Sequence, residues 1–320
     1  MKKEITKIVI TGGPCAGKST AMSRIQSYFS ELGYRVLFVS ETATELITGG
    51  VAPWTCETNT DYQRCQMMLQ LEKERIFQAA AATMKDEKIL IVCDRGIIDN
   101  KAYMNAKEFE NVVNSLSSNE VELRDNYDAV FHLVTAAKGA EEFYTTANNS
   151  ARTETAELDD KLIAAWTGHP HFIAIDNATD FDGKMKHLFS EISSFLGEPE
   201  PFEIERKFLI EYPDISILNS LANCQCIEII QTYLNFSDDE VRVRQRGENG
   251  HYVYYKTTKH IISGLKRVEI EKRLSKDEYL TLLMNADTSR RQISKAPYCL
   301  HMKINILRLM YIRSGMIRTL

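Results

Sequence analysis

One glycine-rich stretch near the amino terminus constrains the fold more than any other part of the sequence. The apolar run Lys7–Thr11 leads directly into residues 12–19, which read GGPCAGKS, and a segment with helical periodicity follows up to Gly33. The spacing G-x-x-x-x-G-K-[ST] therefore stands between a predicted strand and a predicted helix, as this motif requires. We predict a strand, a tight loop and a helix in this order, with the helix ending at Gly33.

The composition of residues 12–20, from here on the phosphate loop, is typical of a nucleotide-binding site. Glycines let backbone N–H groups converge on a phosphate, and the start of the helix adds the positive end of its dipole. We expect Lys18 to bridge β- and γ-phosphate oxygens and the Ser19 hydroxyl to ligate Mg²⁺. The alternative is a glycine-rich turn without a ligand. The predicted nucleotide-binding residues are Gly12, Gly13, Pro14, Cys15, Ala16, Gly17, Lys18, Ser19 and Thr20.

Short runs rich in valine and isoleucine alternate with helical segments along the first 196 residues. This alternation predicts an α/β fold, with a parallel, doubly wound sheet of about five strands. A long helix is predicted for Asp61–Met84. The predicted strands are Lys7–Thr11, Arg35–Val39, Ile89–Cys93, Ala129–Val134 and Phe172–Ile175.

Charged residues follow two of these strands, where a parallel sheet presents its ligand-binding edge. Asp94 and Arg95 end the third strand; Asp94 is expected to bind Mg²⁺ through water or accept a proton from a hydroxyl, and Arg95 to clamp a phosphate. The alternative is a helix-capping Asp beside a surface Arg. Glu41 follows the second strand as a further metal-ligand candidate, or as an acid in the first turn of a helix.

Two further features bear on catalysis and on the choice of base. Arg152 lies in a polar stretch before a predicted helix, where a small-molecule kinase carries a lid arginine; the alternative is an exposed arginine at a helix start. The chain's one Asn-Lys pair, at Asn100 and Lys101, is not followed by the x-Asp that typically reads guanine. ATP and GTP both remain open.

The motifs TGGPCAGKST, SETAT, CDRG and WTGHPH together resemble a known family over residues 5–196. They are similar to the P-loop domain of nicotinamide-riboside-kinase-like proteins and of the TRPL translocation defect protein of insects. This resemblance implies one of two functions. Some relatives are kinases, whereas others bind GTP and phosphoinositides in trafficking, so both an Mg²⁺-dependent phosphotransferase or NTPase and a regulatory nucleotide-binding protein are open.

The pattern of the sequence changes after residue 198. The stretch Gly197–Pro201 carries two prolines two residues apart, which disfavours both helix and strand, and we place the boundary of domains 1–198 and 199–320 there. Beyond it, charges alternate along several short segments, which predicts β-strands with the charges on one face. That face is either a charged lumen or the solvated side of an ion-paired sheet.

The second half resembles the CYTH fold, the triphosphate tunnel of class IV adenylate cyclases and thiamine triphosphatases. The pattern E-x-E-x-K at Glu203, Glu205 and Lys207 carries this resemblance, followed in the expected order by R-x-R, T-K and R-x-E-x-E. The resemblance implies that paired glutamates hold Mg²⁺ or Mn²⁺ and that cations hold a polyphosphate. The metal candidates are Glu203, Glu205, Glu269 and Glu271, and the phosphate-binding candidates are Lys207, Arg242, Arg244, Lys259 and Arg267.

The CYTH resemblance ends near Tyr298, because the last 20 residues contain no Asp or Glu where the family has acidic pairs. One set of codons compatible with residues 302–319 encodes a Glu-x-Asp alternation when it is translated in the shifted reading frame that starts at the third base of each codon. We therefore expect either a frameshifted tail or a genuine variant. In both cases the tunnel is expected to be incomplete and the residues after about 298 to be poorly ordered.

Composition narrows the partners and the compartment. The formal net charge is -5, which argues against a general nucleic-acid binder. Seven cysteines without metal-site spacing, and an amino terminus without an apolar signal core, predict a reducing cytoplasm. The sequence has no apolar run long enough to span a membrane. The expected partners are ATP or GTP and a phosphorylated small molecule or polyphosphate, with a phosphoinositide as a further option.

Overall fold

The computed structural model describes residues 3–141, 149–198, 213–221, 223–235, 240–263, 266–302 and 305–309. The chain forms two compact units, Met1–Phe189 and Ser190–Leu320. The domain boundary expected after residue 198 stays a prediction.

A five-stranded parallel sheet in the order β2-β3-β1-β4-β5 forms the centre of the first unit. The predicted α/β class is confirmed, and each predicted strand is present with ends shifted by three residues or fewer. The strands are β1 Glu4–Thr11, β2 Arg35–Val39, β3 Lys88–Asp94, β4 Ala129–Leu133 and β5 Phe172–Ile175.

Helices connect these strands. The predicted long helix is α3, where the Thr58 hydroxyl accepts a hydrogen bond from the Asp61 N–H and so caps the first turn. Gly33, after the first helix, has the left-handed φ of 87° expected at such a stop. The helices are α1 Lys18–Glu31, α2 Thr42–Thr48, α3 Asn59–Thr83, a 3₁₀ helix Ile97–Tyr103, α4 Ala106–Ser115, α5 Glu120–Arg124, α6 Asn149–Trp166 and α7 Phe181–Leu196.

The central strands form the core of the first unit. Ile8, Val9 and Ile10 of β1 are fully buried, as is the run Ile89–Cys93 of β3. Such continuous apolar runs are typical of parallel strands, because helices cover both faces of the sheet. The carboxyl ends of the strands, and the segments that follow them, are the edge where a parallel sheet of this kind places a polar site.

Two antiparallel sheets form most of the second unit, consistent with a CYTH tunnel domain. Within the described residues of this unit, one sheet has five strands in the order β10-β9-β8-β7-β11, and the other has three in the order β13-β12-β6. The strands are β6 Cys224–Cys226, β7 Glu228–Leu234, β8 Glu240–Glu248, β9 His251–Ser263, β10 Lys266–Leu274, β11 Ile293–Lys295, β12 Tyr298–Met302 and β13 Asn305–Leu309; the helices are α8 Ile215–Ser220 and α9 Lys276–Leu283.

One face of the five-stranded sheet packs against α9. Val241 and Val243 of β8 form a buried cluster with Leu234, Leu274 and Tyr279. Successive residues of a strand point to opposite faces, so the residues between these valines lie on the other face. The arginines of β8 are therefore separated from the apolar core by the pleat of the sheet.

The end of the described chain corrects one expectation. Residues 298–302 and 305–309 are not disordered but form β12 and β13, which pair with each other, and β12 also pairs with β6. The expectation of poor order after about 298 is therefore wrong for these two strands; the remaining residues lie outside the described part. Among the described residues, every helix is too short or too polar to traverse a lipid bilayer.

Candidate functional site

The phosphate loop joins β1 to α1 in a conformation that depends on glycine. Gly12 and Gly17 have φ angles of 143° and 92°, and Cys15 also has a positive φ of 56°. The φ of Gly17 disfavours any side chain there, and a Cβ would also lie 2.6 Å from a ring carbon of Phe181, which would have to move. Pro14, Cys15, Ser19 and Thr20 are exposed, and this leaves the loop accessible to a ligand.

Lys18 folds back onto its own loop. Its Nζ donates to the carbonyl oxygens of Gly12 at 2.8 Å and Gly13 at 3.0 Å. Burial and the nearby Arg95 charge lower the Lys18 pKa to about 8, although Asp94 and Glu41 act in the opposite direction. The ammonium is therefore partly desolvated and near both carboxylates, at the place where a nucleotide phosphate is expected.

Arg95 is held between the main chain and Glu41. Its Nε donates to Glu41 Oε1 at 2.5 Å, and its N–H donates to the Ile10 carbonyl at 3.0 Å. Arg95 has a left-handed φ of 68°, unusual for a residue with a side chain. Its side chain is only 16% exposed, so the predicted alternative of a surface arginine is wrong.

Glu41 is the residue that precedes α2, and it accepts a hydrogen bond from Thr44 Oγ1 at 2.5 Å. Burial alone would raise its pKa, but the Thr44 hydroxyl and the Arg95 charge lower it below the ordinary value. Burial also opposes the charge on Arg95, but Tyr103, Asp99 and Glu41 raise the Arg95 pKa overall. The Glu41–Arg95 pair is thus fully charged at neutral pH.

Asp94 ends β3 beside Ile10 of β1. Its Oδ1 is buried and, within the described part of the chain, has no hydrogen-bond partner; burial and Glu41 raise the Asp94 pKa. It does not cap the following helix, which begins after Gly96, so the capping alternative is wrong. A buried carboxylate oxygen without a partner suits Mg²⁺ or its bound water, and Ser19 lies in the first turn of α1, which follows β1 on the same edge of the sheet.

Arg152 lies in the first turns of α6, and its side chain is outside the described part. The helix supplies a residue that the sequence reasoning missed. Asp159 is fully buried, and its Oδ1 accepts hydrogen bonds from the N–H groups of Gly13 at 3.1 Å and Thr135 at 3.3 Å. The only sequence signal was a charged residue on the apolar stripe of α6, between Thr155 and Leu162.

Lys184, in the first turns of α7, was also missed. It is 4% exposed, and its Nζ donates to the carbonyl oxygens of Ala16 at 3.2 Å and Val134 at 2.6 Å. Burial lowers the Lys184 pKa to about 8. Since nothing near it in sequence marks a site, only the fold brings this lysine under the phosphate loop.

In the second unit, the β8 arginines and Glu271 share the sheet face that lies opposite to the α9 core. Arg244 pairs with Glu271 at 2.9 Å, and the buried Thr257 hydroxyl links both, accepting from Arg244 and donating to Glu271 at 3.0 Å each. Arg242 pairs in register with Thr257 on the same face. This face is therefore an alternating array of cations and an acid.

The register adds further candidates to this face. Lys259 has the same strand parity as Thr257, and its Cα partners are Glu240 and Glu269, whereas Lys256 pairs with the buried Val243. Arg267 pairs with Ile261 in register, but the Arg267 and Glu269 side chains lie outside the described part. Glu203, Glu205 and Lys207 lie outside the described residues. In the described ranges, no cluster of three or more potential His, Cys, Asp or Glu ligands could hold a metal by itself.

Solved structures of two thymidylate kinases and one deoxyadenosine kinase are similar to part of the chain, each at 16% identity over 59% of it. Thymidylate kinase from Ehrlichia chaffeensis is covered to 98% with a TM-score of 0.40, and thymidylate kinase from Candida albicans to 91% with a TM-score of 0.41. Deoxyadenosine kinase from M. mycoides, solved with bound dATP, is covered to 99% with a TM-score of 0.40. Similarity at this level carries no argument about the substrate of this chain.

No curated protein sequence matched the chain. Two protein-family models match it. Residues 201–309 match the CYTH domain family, so that match extends through β13 and the expectation that the resemblance ends near Tyr298 is wrong. Residues 7–184, more than half of the chain, match a family described as AAA domain, AAA_28, and this range contains the phosphate loop, Glu41, Asp94 and Arg95. The chain therefore belongs to the AAA_28 family of AAA domains and carries a CYTH domain after it.

Proposed function

We propose that the first unit binds an Mg²⁺-bound nucleoside triphosphate on the phosphate loop and transfers its terminal phosphoryl group to a hydroxyl acceptor or to water. One observation carries the proposal. Lys18, Glu41, Asp94 and Arg95 interact electrostatically at one edge of the sheet, although up to 77 positions separate them in sequence. Phosphoryl transfer needs this combination, because its catalysis is mostly positioning and charge stabilisation.

Each of these residues has a role that its surroundings support. Lys18, now on two carbonyl oxygens of its own loop, can exchange them for phosphate oxygens. Asp94, with a raised pKa and an oxygen without a partner in the described chain, accepts the acceptor's proton or holds the metal's water. Arg95 stabilises the charge that develops on the phosphoryl group. Mg²⁺, when bound, neutralises the phosphates, with Ser19, Asp94 and Glu41 as its proposed protein contacts.

Arg152 remains a candidate for a lid arginine. The position of residue 152 in the first turns of α6 is compatible with that role, as is the connection of α6 to the phosphate loop through Asp159. The identity of the base, ATP or GTP, and the narrower membership among nicotinamide-riboside-kinase-like and TRPL translocation defect proteins are parts of the proposal too. The absence of disulfides among the seven cysteines, all in the described part, supports a cytoplasmic location.

For the second unit we propose polyphosphate binding on the face that carries Arg242, Arg244 and Lys259. The support is that these cations share one strand parity with Thr257 and Glu271 on adjacent strands. Arg267 and Lys207 are proposed to add cations, and Glu203, Glu205, Glu269 and Glu271 to hold Mg²⁺ or Mn²⁺. Glu271 would have to exchange its Arg244 contact for the metal. The frameshift of the tail also stays a proposal, and resequencing the gene tests it.

A second candidate function is a regulatory nucleotide-binding protein that senses phosphorylated ligands or phosphoinositides without efficient turnover. The observation in its favour is that two of the site's cations already have protein partners, Lys18 on loop carbonyls and Arg95 on Glu41. A site in this state needs rearrangement before catalysis, as a slow switch does.

Phosphate release with ATP and with GTP, in the presence and absence of small hydroxylated acceptors, tests the two candidates. Turnover that depends on an acceptor supports phosphoryl transfer, and turnover by water alone supports an NTPase. Tight binding with turnover far below about 1 s⁻¹, the low end for ordinary enzymes, would favour the regulatory candidate. No binding of either nucleotide would contradict both.

A further inference from the structure

Three consecutive carbonyl oxygens of the phosphate loop, those of residues 14–16, are bound by donors from outside the loop. The Thr135 hydroxyl donates to Pro14 O at 2.6 Å, and the Ala136 N–H donates to Cys15 O at 3.3 Å. Ala16 O accepts from Lys184 Nζ, as described above. Because the C=O and N–H of a peptide unit point in opposite directions, carbonyls bound to the interior leave the following amides directed outwards.

Lys184 is the charged member of this set. Besides Ala16 and Val134, its Nζ donates to Asn177 Oδ1 at 2.7 Å, so each of its three protons has an acceptor. Asn177 in turn donates to the carbonyls of Thr135 at 2.8 Å and Lys138 at 2.7 Å. One buried ammonium thus ties the phosphate loop to the segments that follow β4 and β5.

Asp159 binds the other end of the loop. Besides the Gly13 and Thr135 amides, its Oδ1 lies 3.1 Å from His132 Nε2, and its Oδ2 lies 3.2 Å from Lys138 Nζ. A Cβ on Gly13 would lie 3.1 Å from Asp159 Oδ1, so any side chain there would push Asp159 away from the loop by a few tenths of an ångström. Since Asp159 holds the Gly13 N–H and Pro14 has none, the amides left for phosphate begin at Cys15.

We propose that Lys184 and Asp159 are positioning residues of the nucleotide site: buried charges of opposite sign that hold Ala16 O and Gly13 N–H and thereby help to aim the amides of residues 15–17 at the phosphates. Neither residue contacts the nucleotide. This inference rests on the proposed function of the phosphate loop, and it adds a cause for the loop's shape that the glycine motif itself does not contain.

The test compares the full-length Lys184→Met variant with Leu188→Val. Leu188 is fully buried one turn further along α7, so its variant weakens packing of the same helix without removing a loop donor. Titration with Mg²⁺–ATP and Mg²⁺–GTP is carried out well below each variant's Tm. The nucleotide binding that remains in the Lys18→Ala variant is measured separately and subtracted from each titration. This removes any binding of triphosphates by the CYTH domain.

We expect about tenfold weaker nucleotide binding for Lys184→Met, as for loss of a hydrogen bond to a charged group, and unchanged binding for Leu188→Val. The positioning role would be overturned if Lys184→Met and Leu188→Val had equal nucleotide affinity. It would also be overturned if both variants lost affinity in proportion to their loss of Tm. Unchanged affinity in Lys18→Ala would instead remove the nucleotide site itself, and with it the proposed function.

Variants of Asp159 provide a second test of the positioning proposal, which decides it if Lys184→Met does not fold. Asp159→Asn keeps an oxygen that can accept from the Gly13 and Thr135 amides, whereas Asp159→Ala keeps none. We expect nucleotide affinity within about threefold of wild type for Asn and about tenfold weaker for Ala. Equal affinities of the Asn and Ala variants would contradict the role of Asp159.

Discussion

The two surfaces that we propose to bind phosphates use different parts of the polypeptide. In the first unit the backbone is the main component: glycines, a proline and the start of α1 shape a loop whose amides face outwards. In the second unit the side chains Arg242, Arg244 and Lys259 project from paired strands beside Glu271. A backbone site depends on the conformation of one short segment, whereas a side-chain site depends on the register of several.

The difference extends to how each surface is supported. Beneath the phosphate loop, Lys184 and Asp159 are 4% and 0% exposed, so their charges interact with the loop through little solvent. On the second surface, Arg244 and Glu271 keep 21% and 17% of their side chains exposed. We therefore expect substitutions near the loop to have large and specific effects, and substitutions on the strand face to have smaller ones that add up.

The largest effect is expected for Lys18→Ala. The variant keeps the loop backbone but removes the one charged side chain of the loop, so nucleotide affinity should fall about 100-fold and turnover should be lost. Calorimetric titration with ATP and GTP measures the affinity, and an unchanged Tm excludes unfolding. Wild-type affinity in this variant would mean that the loop does not bind the nucleotide phosphates.

Asp94→Asn should separate binding from chemistry. The amide keeps the shape of the carboxylate but can neither accept a proton nor hold Mg²⁺ as strongly, so turnover should fall on the order of 100-fold while nucleotide affinity changes little. Steady-state kinetics together with titration measure both quantities. Activity at the wild-type level would leave Asp94 without a catalytic role.

Much of the first unit could be predicted because its signals are local. Five apolar runs gave the five strands, and one contiguous motif gave the loop between β1 and α1. Asp94, Arg95 and Glu41 could be placed at one edge since carboxyl ends of parallel strands meet there. The Arg95–Glu41 pair itself could not, because it depends on the left-handed backbone at Arg95.

Asp159 and Lys184 could not be predicted because their contacts with the phosphate loop are to main-chain atoms. A carbonyl or an amide has no sequence signature, and residue 159 lies 146 positions from Gly13. In the second unit, strand parity indicated the shared face of Arg242, Arg244 and Lys259, but the Arg244–Thr257–Glu271 contacts needed the pairing of β8, β9 and β10. The order of β12 and β13 was missed because their basic composition was taken as foreign to the domain.

A moderate effect is expected on acid stability through Asp159. Its pKa is about 2, below the ordinary 3.8, because the His132 contact, Lys138 and the Gly13 amide outweigh the cost of burial. A depressed folded-state pKa gives a stabilisation that is present above pH 3.8 and is lost as the pH falls through about 2. Between about pH 5 and pH 2, wild type should lose about 2 kcal/mol relative to Asp159→Asn, which has no proton to bind there.

Thermal or denaturant unfolding of both proteins across this range measures the difference. Asp182→Asn is the control, because Asp182 pairs with Arg24 at 2.8 Å but its side chain is 70% exposed, so its pair contributes little. A gap between wild type and Asp159→Asn that stays constant with pH would show that the carboxylate is not stabilised by its buried partners.

The smallest effect is expected for a single cation of the strand face. Arg244→Ala, made in the Lys18→Ala background so that the phosphate loop contributes nothing, should weaken binding of Mg²⁺–tripolyphosphate about tenfold, because neighbouring cations remain and the loss is one charged hydrogen-bonding group. Lys276→Ala is the control, since Lys276 is an exposed lysine on α9, on the opposite side of the sheet. Equal affinities in the two variants would exclude Arg244 from the polyphosphate site. If Arg244→Ala lost as much tripolyphosphate affinity as Lys18→Ala loses nucleotide affinity, the contrast between the two surfaces would be wrong. The strand face would then depend on a single residue, as the loop does.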